Sequence, residues 1–230
     1  MHILFNKKGY PIKPKKIRKA VSEFGYGYNE TVRKVIVNSS NGVNRHIFRK
    51  NVAILRPNFK MTRQGPFKGI QYVDGKVIDP NKQITACWRE IGEKTIELSH
   101  FLKENDGESR TRILLEMVPS DREEVASALW EMFKKLVSLC MEKNTLGLVA
   151  ASKVLFAAFP EVAQAIDNAE WRTVFKTIDY RDIILDMASE IAEWERRSET
   201  RLESCDPHAI TTLPSVYNVM AMKAREMVLS

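Results

Sequence analysis

The sequence predicts an α+β protein in which a basic, β-rich N-terminal domain is followed by an acidic, mainly helical bundle domain. Residues 1–82 contain 18 of the 36 Lys and Arg residues but only four of the 29 Asp and Glu residues, a formal charge of +14, whereas residues 83–230 carry −7. Seven of the ten glycines also lie in the first range. Hydrophobic spacing changes at the same place, from short alternating runs to helical periodicity. We therefore predict domains at 1–82 and 83–230.

Residues 1–20 are predicted to form an extended basic arm. Pro11 and Pro14 interrupt a lysine-rich run, and proline lacks the backbone N–H that a helix interior needs. An arm of this composition is suited to following the phosphates of a nucleic acid.

A small antiparallel sheet or partial barrel is predicted after the arm. Phe24, Tyr26 and Tyr28 alternate with glycines, the two-residue period of a strand with one aromatic face. Residues 38–42, with the sequence NSSNG, and the dipeptide Asp74-Gly75 are turn signals. Strands are predicted at residues 21–37, 46–57, 67–73 and 76–78.

The second domain is predicted to be a bundle of amphipathic helices. Ile84, Trp88 and Ile91 begin a run of apolar residues at three- and four-residue spacing, which is the period of a helix with one buried face. Ser120 and Glu123 have the spacing of a capping box. Helices are predicted at about 84–103, 110–117, 120–144, 145–159, 161–166, 168–177, 179–203 and 214–229.

The charge distribution favours a non-enzymatic RNA- or DNA-binding accessory protein. Lys and Arg side chains replace the counterions of a phosphate backbone, and aromatic side chains stack on unpaired bases. The first domain supplies both residue types. The predicted nucleic-acid contacts are Lys13, Lys15, Lys16, Arg18, Lys19, Tyr26, Tyr28, Arg33, Lys34, Arg45, Arg49, Lys50 and Lys60. A protein partner is expected to dock on the helical domain.

One enzymatic alternative rests on the most apolar stretch of the chain, residues 146–171, which contains only a few charges. An amine nucleophile works best where it is desolvated and has a carboxylate nearby to handle protons, so Lys153 and Asp167 form a sensible pair. Their spacing loosely resembles that of the lysine and aspartate in helix-hairpin-helix DNA glycosylases. The resemblance implies a glycosylase/lyase. Gly147 lies too far before Lys153 for the hairpin of that family, and a second hairpin glycine is absent.

A structural role for the same two residues is the favoured interpretation. Asp167 stands where it could cap a helix that begins at Asn168, and a helical lysine can extend its amine to solvent past apolar neighbours. A second alternative is a protein-interaction module that binds no nucleic acid.

No cofactor or metal ion is predicted. Cys87, Cys140 and Cys205 are widely spaced, which favours free thiols over a disulfide framework. Cys205 and His208 lack a second pair of ligands at zinc spacing. The short apolar segment at the N-terminus matches neither a signal peptide nor a membrane span, so a cytoplasmic protein without membrane contact is expected.

Overall fold

The computed structural model shows a mostly helical protein, and the predicted α+β class is wrong. It describes residues 2–59, 61, 65–105, 110–141, 147–207 and 211–229. The structure is 69% helical, and its described strands form one two-stranded sheet. The β-rich N-terminal domain that the sequence predicts is therefore replaced by helices and a single hairpin.

The described residues contain ten α-helices. In chain order they are α1 (Pro14–Glu23), α2 (Tyr26–Ser39), α3 (Arg45–Asn58), α4 (Gln83–Glu104), α5 (Ile113–Glu116), α6 (Pro119–Cys140), α7 (Leu148–Ala158), α8 (Asn168–Glu170), α9 (Tyr180–Ser198) and α10 (Leu213–Leu229). Short 3₁₀ segments cover Arg110–Arg112 and Leu202–Cys205, and a π-helical turn covers Trp171–Phe175.

Helix α2 occupies most of the first predicted strand, because the aromatic alternation spans a helix junction. Phe24 is the C-cap of α1, and Gly25, at φ +118°, is the N-cap of α2. Within α2 the buried residues Val32, Val35 and Ser39 recur at helical spacing. Burial of this face overrides the strand preference of the β-branched residues.

Helix α3 occupies the second predicted strand for a similar reason. Phe48, Val52 and Leu55 are buried at positions i, i+4 and i+7, which places them on one helix face. Asn44 caps the helix by accepting a hydrogen bond from the Ile47 N–H at 3.0 Å. The turn predicted at residues 38–42 is shorter, because α2 continues to Ser39, and it joins two helices rather than two strands.

The N-terminal segment packs against the helical body, so the predicted extended arm is wrong. Pro14 starts α1 rather than preventing it, since the first turn of a helix leaves backbone N–H groups unbonded anyway. The Leu4 N–H donates to Glu190 at 2.6 Å, and Trp194 donates to the Ile12 carbonyl at 2.9 Å. Burial raises the pKa of Glu190.

The predicted hairpin at Asp74-Gly75 is confirmed. Strand β1 (Gln71–Val73) pairs antiparallel with β2 (Lys76–Ile78), with Tyr72 opposite Val77. Asp74 and Gly75 both have positive φ, as the tightest hairpin turns require. The hairpin packs on α3.

Helices α6 and α7 lie at the centre of the body. Helix α6 packs against α4, α7 and α9, and α7 also packs against α3. The capping box predicted at Ser120 is wrong, because Ser120 lies inside α6. The helix begins at Pro119, and its N-cap is Val118. The core contains residues from both predicted domains, and the boundary at residue 82 stays a prediction. The three cysteines are free and buried.

The segment after α7 is buried without being helical, so the helix predicted at 161–166 is wrong. Side chains form hydrogen bonds with its backbone N–H and carbonyl groups instead. The Tyr180 hydroxyl accepts from the Gln164 N–H at 2.7 Å and donates to the Gln164 carbonyl at 2.6 Å. The Ile166 N–H donates to Ser152 Oγ at 3.1 Å. These bonds fix the non-helical chain between the turn at residues 160–162 and Asp167.

Candidate functional site

A broad cavity of about 770 Å³ lies between α2, α3 and β1. We call it the basic groove, because four of its charged lining residues are cations. They are Arg33 and Lys34 on α2 and Lys50 and Arg56 on α3. The sequence-predicted residues Arg33, Lys34 and Lys50 are thus brought together.

Helical periodicity explains how the groove is formed. On α2, Arg33, Lys34 and Val37 share a face, and on α3 Lys50, Ile54 and Pro57 do the same. Each helix turns its opposite face into the core. The two polar faces therefore become neighbouring walls when α2 packs against α3.

The positive charge of the groove is only partly neutralised. Glu30 lines the groove and pairs with Lys34 at 2.9 Å. Lys50 donates to Asn38 Oδ1 at 2.8 Å, which is a neutral acceptor. Arg56 Nε is buried and has no hydrogen-bond partner among the described residues. Because no described carboxylate forms an ion pair with Arg33, Lys50 or Arg56, the groove carries excess positive charge.

Aromatic and apolar surface borders these cations. Tyr72 lines the groove and is 36% exposed, and Lys50 Nζ lies 6.0 Å from its ring centroid. Val37 and Val73 are also exposed along the groove. An exposed ring beside cations can stack on a base while the cations contact phosphates.

The other predicted contacts lie elsewhere. Helix α1 carries Lys13 at its N-cap together with four further exposed cations, and it packs on α10 and the 202–205 segment. Those four are Lys15, Lys16, Arg18 and Lys19. None of the α1 residues lines the basic groove. Lys60 lies outside the described residues, and only the backbone of Tyr26 is described.

The remaining α3 cations and Tyr28 also lie off the groove. Arg45 is exposed at the start of α3, and Arg49 is half-buried with an Nε that has no hydrogen-bond partner among the described residues. Tyr28 is stacked on Phe59, with ring centroids 4.9 Å apart, so it does not present a free face at the groove. Sequence reasoning missed Arg56 and Tyr72. Arg56 stands six residues after Lys50, which is not a same-face spacing in a helix, so the sequence pattern gives no signal for it.

A second cavity, of about 360 Å³, contains the other predicted pair. We call it the lysine pocket. Lys153, from the middle of α7, donates to the Phe59 carbonyl at 2.6 Å and forms an ion pair with Asp167. Lys153 is 4% exposed and Asp167 37%. The amine therefore lies at the base of the pocket and does not extend to solvent, while the carboxylate reaches the mouth.

Asp167 is held in place by the helix that follows it. The predicted N-cap position is confirmed, because α8 begins at Asn168 and Asp167 forms a capping box with Glu170. Glu170 accepts from the Asp167 N–H at 2.8 Å and from Arg225 at 2.9 Å. Burial raises the pKa of Glu170. The Asp167 carboxylate thus caps α8 and also pairs with Lys153.

The two cavities adjoin at Asn58, the last residue of α3, which lines both of them. The Asn58 amide donates to the Gly27 carbonyl at 3.1 Å and to the Thr31 hydroxyl. These bonds fix the shared wall to α2. The basic groove and the lysine pocket are therefore neighbours on the two sides of Asn58.

Other kinds of site find no support in the described part of the chain. Its His, Cys, Asp and Glu residues form no cluster of three that could hold a metal ion. Each described helix is too short or too polar to span a membrane. Comparison with family models, curated proteins and solved structures found no match.

Proposed function

We propose that the protein binds nucleic acid, with the phosphates of one strand lying along the basic groove. The observation that carries this proposal is the alignment of Arg33, Lys50 and Arg56, which no described carboxylate pairs with, beside the exposed ring of Tyr72. Cations in an open groove release counterions when they meet phosphates, and an adjacent aromatic face adds stacking with an unpaired base.

The binding is expected to weaken steeply with salt. In fluorescence polarisation with a single-stranded probe, the double variant Arg33→Ala/Lys50→Ala should bind several-fold more weakly than the wild type. Its plot of log affinity against log salt should be shallower by about 1.4, since each lost phosphate contact removes about 0.7.

The matched control removes two exposed cations from α4, Arg89 and Lys94, which lie outside the groove. Arg89→Ala/Lys94→Ala has the same net charge as the groove variant and should keep the wild-type slope. If both variants lose the same affinity for the probe, binding depends on overall charge rather than on the groove. Absence of binding to every single- and double-stranded DNA and RNA probe at low salt would end the proposal. Capture of an acidic protein instead would favour the interaction-module alternative.

A second candidate function is a DNA glycosylase/lyase reaction in the lysine pocket. The observation that favours it is that Lys153 and Asp167 meet in one cavity. Once its proton has passed to Asp167, the Lys153 amine could attack the aldehyde carbon of an opened abasic sugar. Loss of water would then form an imine between the protein and the sugar.

The imine can be trapped. Wild-type protein incubated with abasic-site DNA and borohydride should give a covalent adduct, and Lys153→Met should give none because the amine is absent. Lys94→Ala removes an exposed lysine and should trap like the wild type. An adduct that persists in Lys153→Met, or no adduct with wild type, would exclude this reaction. A protein partner on residues 83–230 and a cytoplasmic location stay predictions.

A further inference from the structure

We propose that the lysine pocket receives one nucleobase of the strand that lies in the basic groove. The inference rests on the proposed function of that groove. It requires no chemistry at Lys153, so it stands apart from the lyase reaction. Three features carry it: the wall at Asn58 that the two cavities share, a buried Tyr28 hydroxyl with no hydrogen-bond partner among the described residues, and the partly exposed carboxylate of Asp167.

The shared wall at Asn58 places the pocket beside the groove. Asn58 lines both cavities, and its bonds to Gly27 and Thr31 fix that shared wall. A strand whose phosphates follow Lys50 and Arg56 along α3 reaches Asn58 at the end of the same helix. A base turned from the strand at this point enters the lysine pocket. At about 360 Å³, the pocket falls within the range of about 300–1,000 Å³ typical of small-ligand sites.

Aromatic side chains form one wall of the pocket. Tyr28 and Phe59 stack with their planes 26° apart, and Phe24 meets Tyr28 edge-on at 4.8 Å. All three rings line the pocket, together with Met222. Because these rings pack on one another, and Phe59 also stacks on Phe156, they offer a base apolar contact rather than an open stacking face.

The polar groups of the pocket match the edge of a base. The Tyr28 hydroxyl is buried and makes no hydrogen bond with any described residue. Burial raises the pKa of Tyr28, and the neighbouring Asn218 amide opposes this without reaching hydrogen-bond geometry. A buried hydroxyl without a partner costs free energy, and a base acceptor would satisfy it.

Asp167 indicates which bases fit best. A carboxylate offers about four acceptor sites, and its bonds with Lys153 and the Glu170 backbone N–H occupy only part of that capacity. Its exposed oxygen can accept from the amino group of cytosine, whereas thymine presents a carbonyl oxygen at the corresponding position. The pocket should therefore prefer cytosine to thymine.

The test uses three fluorescent 15-residue DNA strands of about equal charge: oligo-dC, oligo-dT and a strand of abasic residues. Wild type should bind oligo-dC about tenfold more tightly than oligo-dT, the size expected for one hydrogen bond to a charged group. Met222→Trp fills the pocket mouth and should bind both strands alike. Ile178→Trp adds the same bulk at an exposed loop residue and should retain the preference.

A second variant tests the pocket independently, in case Met222→Trp does not fold. Tyr28→Phe keeps the ring, deletes the unpaired hydroxyl, and should weaken oligo-dC binding several-fold while leaving abasic-strand binding unchanged. Lys50→Ala should weaken the binding of all three strands by the same factor. If the pocket variants bind oligo-dC like the wild type while Lys50→Ala weakens it, the pocket inference is overturned and the groove stands. If the wild type binds none of the strands, the groove proposal fails as well.

Discussion

Replacing Asp167 by alanine is expected to lower the free energy of unfolding by about 3–5 kcal/mol, because it removes the carboxylate that pairs directly with the buried Lys153 ammonium. Lys153 is 4% exposed, and the Phe59 carbonyl would be its remaining hydrogen-bond acceptor among the described residues. Loss of the helix cap adds to the effect. Urea unfolding at neutral pH, followed by circular dichroism, measures the change.

The matched variant removes the other partner. Lys153→Met keeps the length of the side chain and leaves Asp167, which is 37% exposed and can hydrate. Its expected loss is at most about 1.5 kcal/mol, as for a conservative core replacement. Asp167→Ala should thus lose more unfolding free energy than Lys153→Met. Equal losses, or a larger loss in Lys153→Met, would contradict the placement of the amine at the base of the pocket and the carboxylate at its mouth.

Gly147→Ala is expected to cost roughly 2–5 kcal/mol of stability. Gly147 caps α7 at φ +72°, a conformation that costs a residue with a Cβ about 1–2 kcal/mol. A Cβ there would also lie 2.4 Å from the Val137 carbonyl oxygen, and relieving such an overlap in a packed region costs about 1–3 kcal/mol more. Thermal and urea unfolding report the loss.

Gly75→Ala separates the two contributions. Gly75 has nearly the same φ, +76°, but nothing lies within 4 Å of a Cβ at this hairpin turn. Only the backbone contribution of about 1–2 kcal/mol is expected. If both variants lose the same stability, close packing of α7 against the end of α6 is not what requires glycine at position 147.

Gly147 also links stability to the candidate site. It starts the helix that carries Lys153, and α7 packs directly on α3, which supplies Lys50 and Arg56 to the groove. The fully buried Asn51 connects these elements, since its amide donates to Ser39 Oγ at 2.9 Å and to the Ala157 carbonyl at 3.0 Å. The groove and the lysine pocket thus share one rigid support.

Helical periodicity in residues 83–230 was sufficient to predict most helices of that range. The residues from Ile84 to Leu102 bury one face of a long helix, because apolar spacing and helix geometry agree there. The same rule failed in residues 21–57, where aromatic and β-branched residues favoured strands. Packing of α2 and α3 against each other and the body decided that region.

The sequence by itself determined the basic character of residues 1–82, the Asp74-Gly75 hairpin and the capping position of Asp167. These follow from composition or from neighbouring residues, so they need no knowledge of distant contacts. Only the tertiary structure decided which cations share the basic groove, that Lys153 is buried against Asp167, and that Asn58 joins the groove to the lysine pocket. Each of these depends on helix packing and on the position of Phe59. Packing between residues far apart in the chain is governed by the whole buried surface, which no local pattern contains.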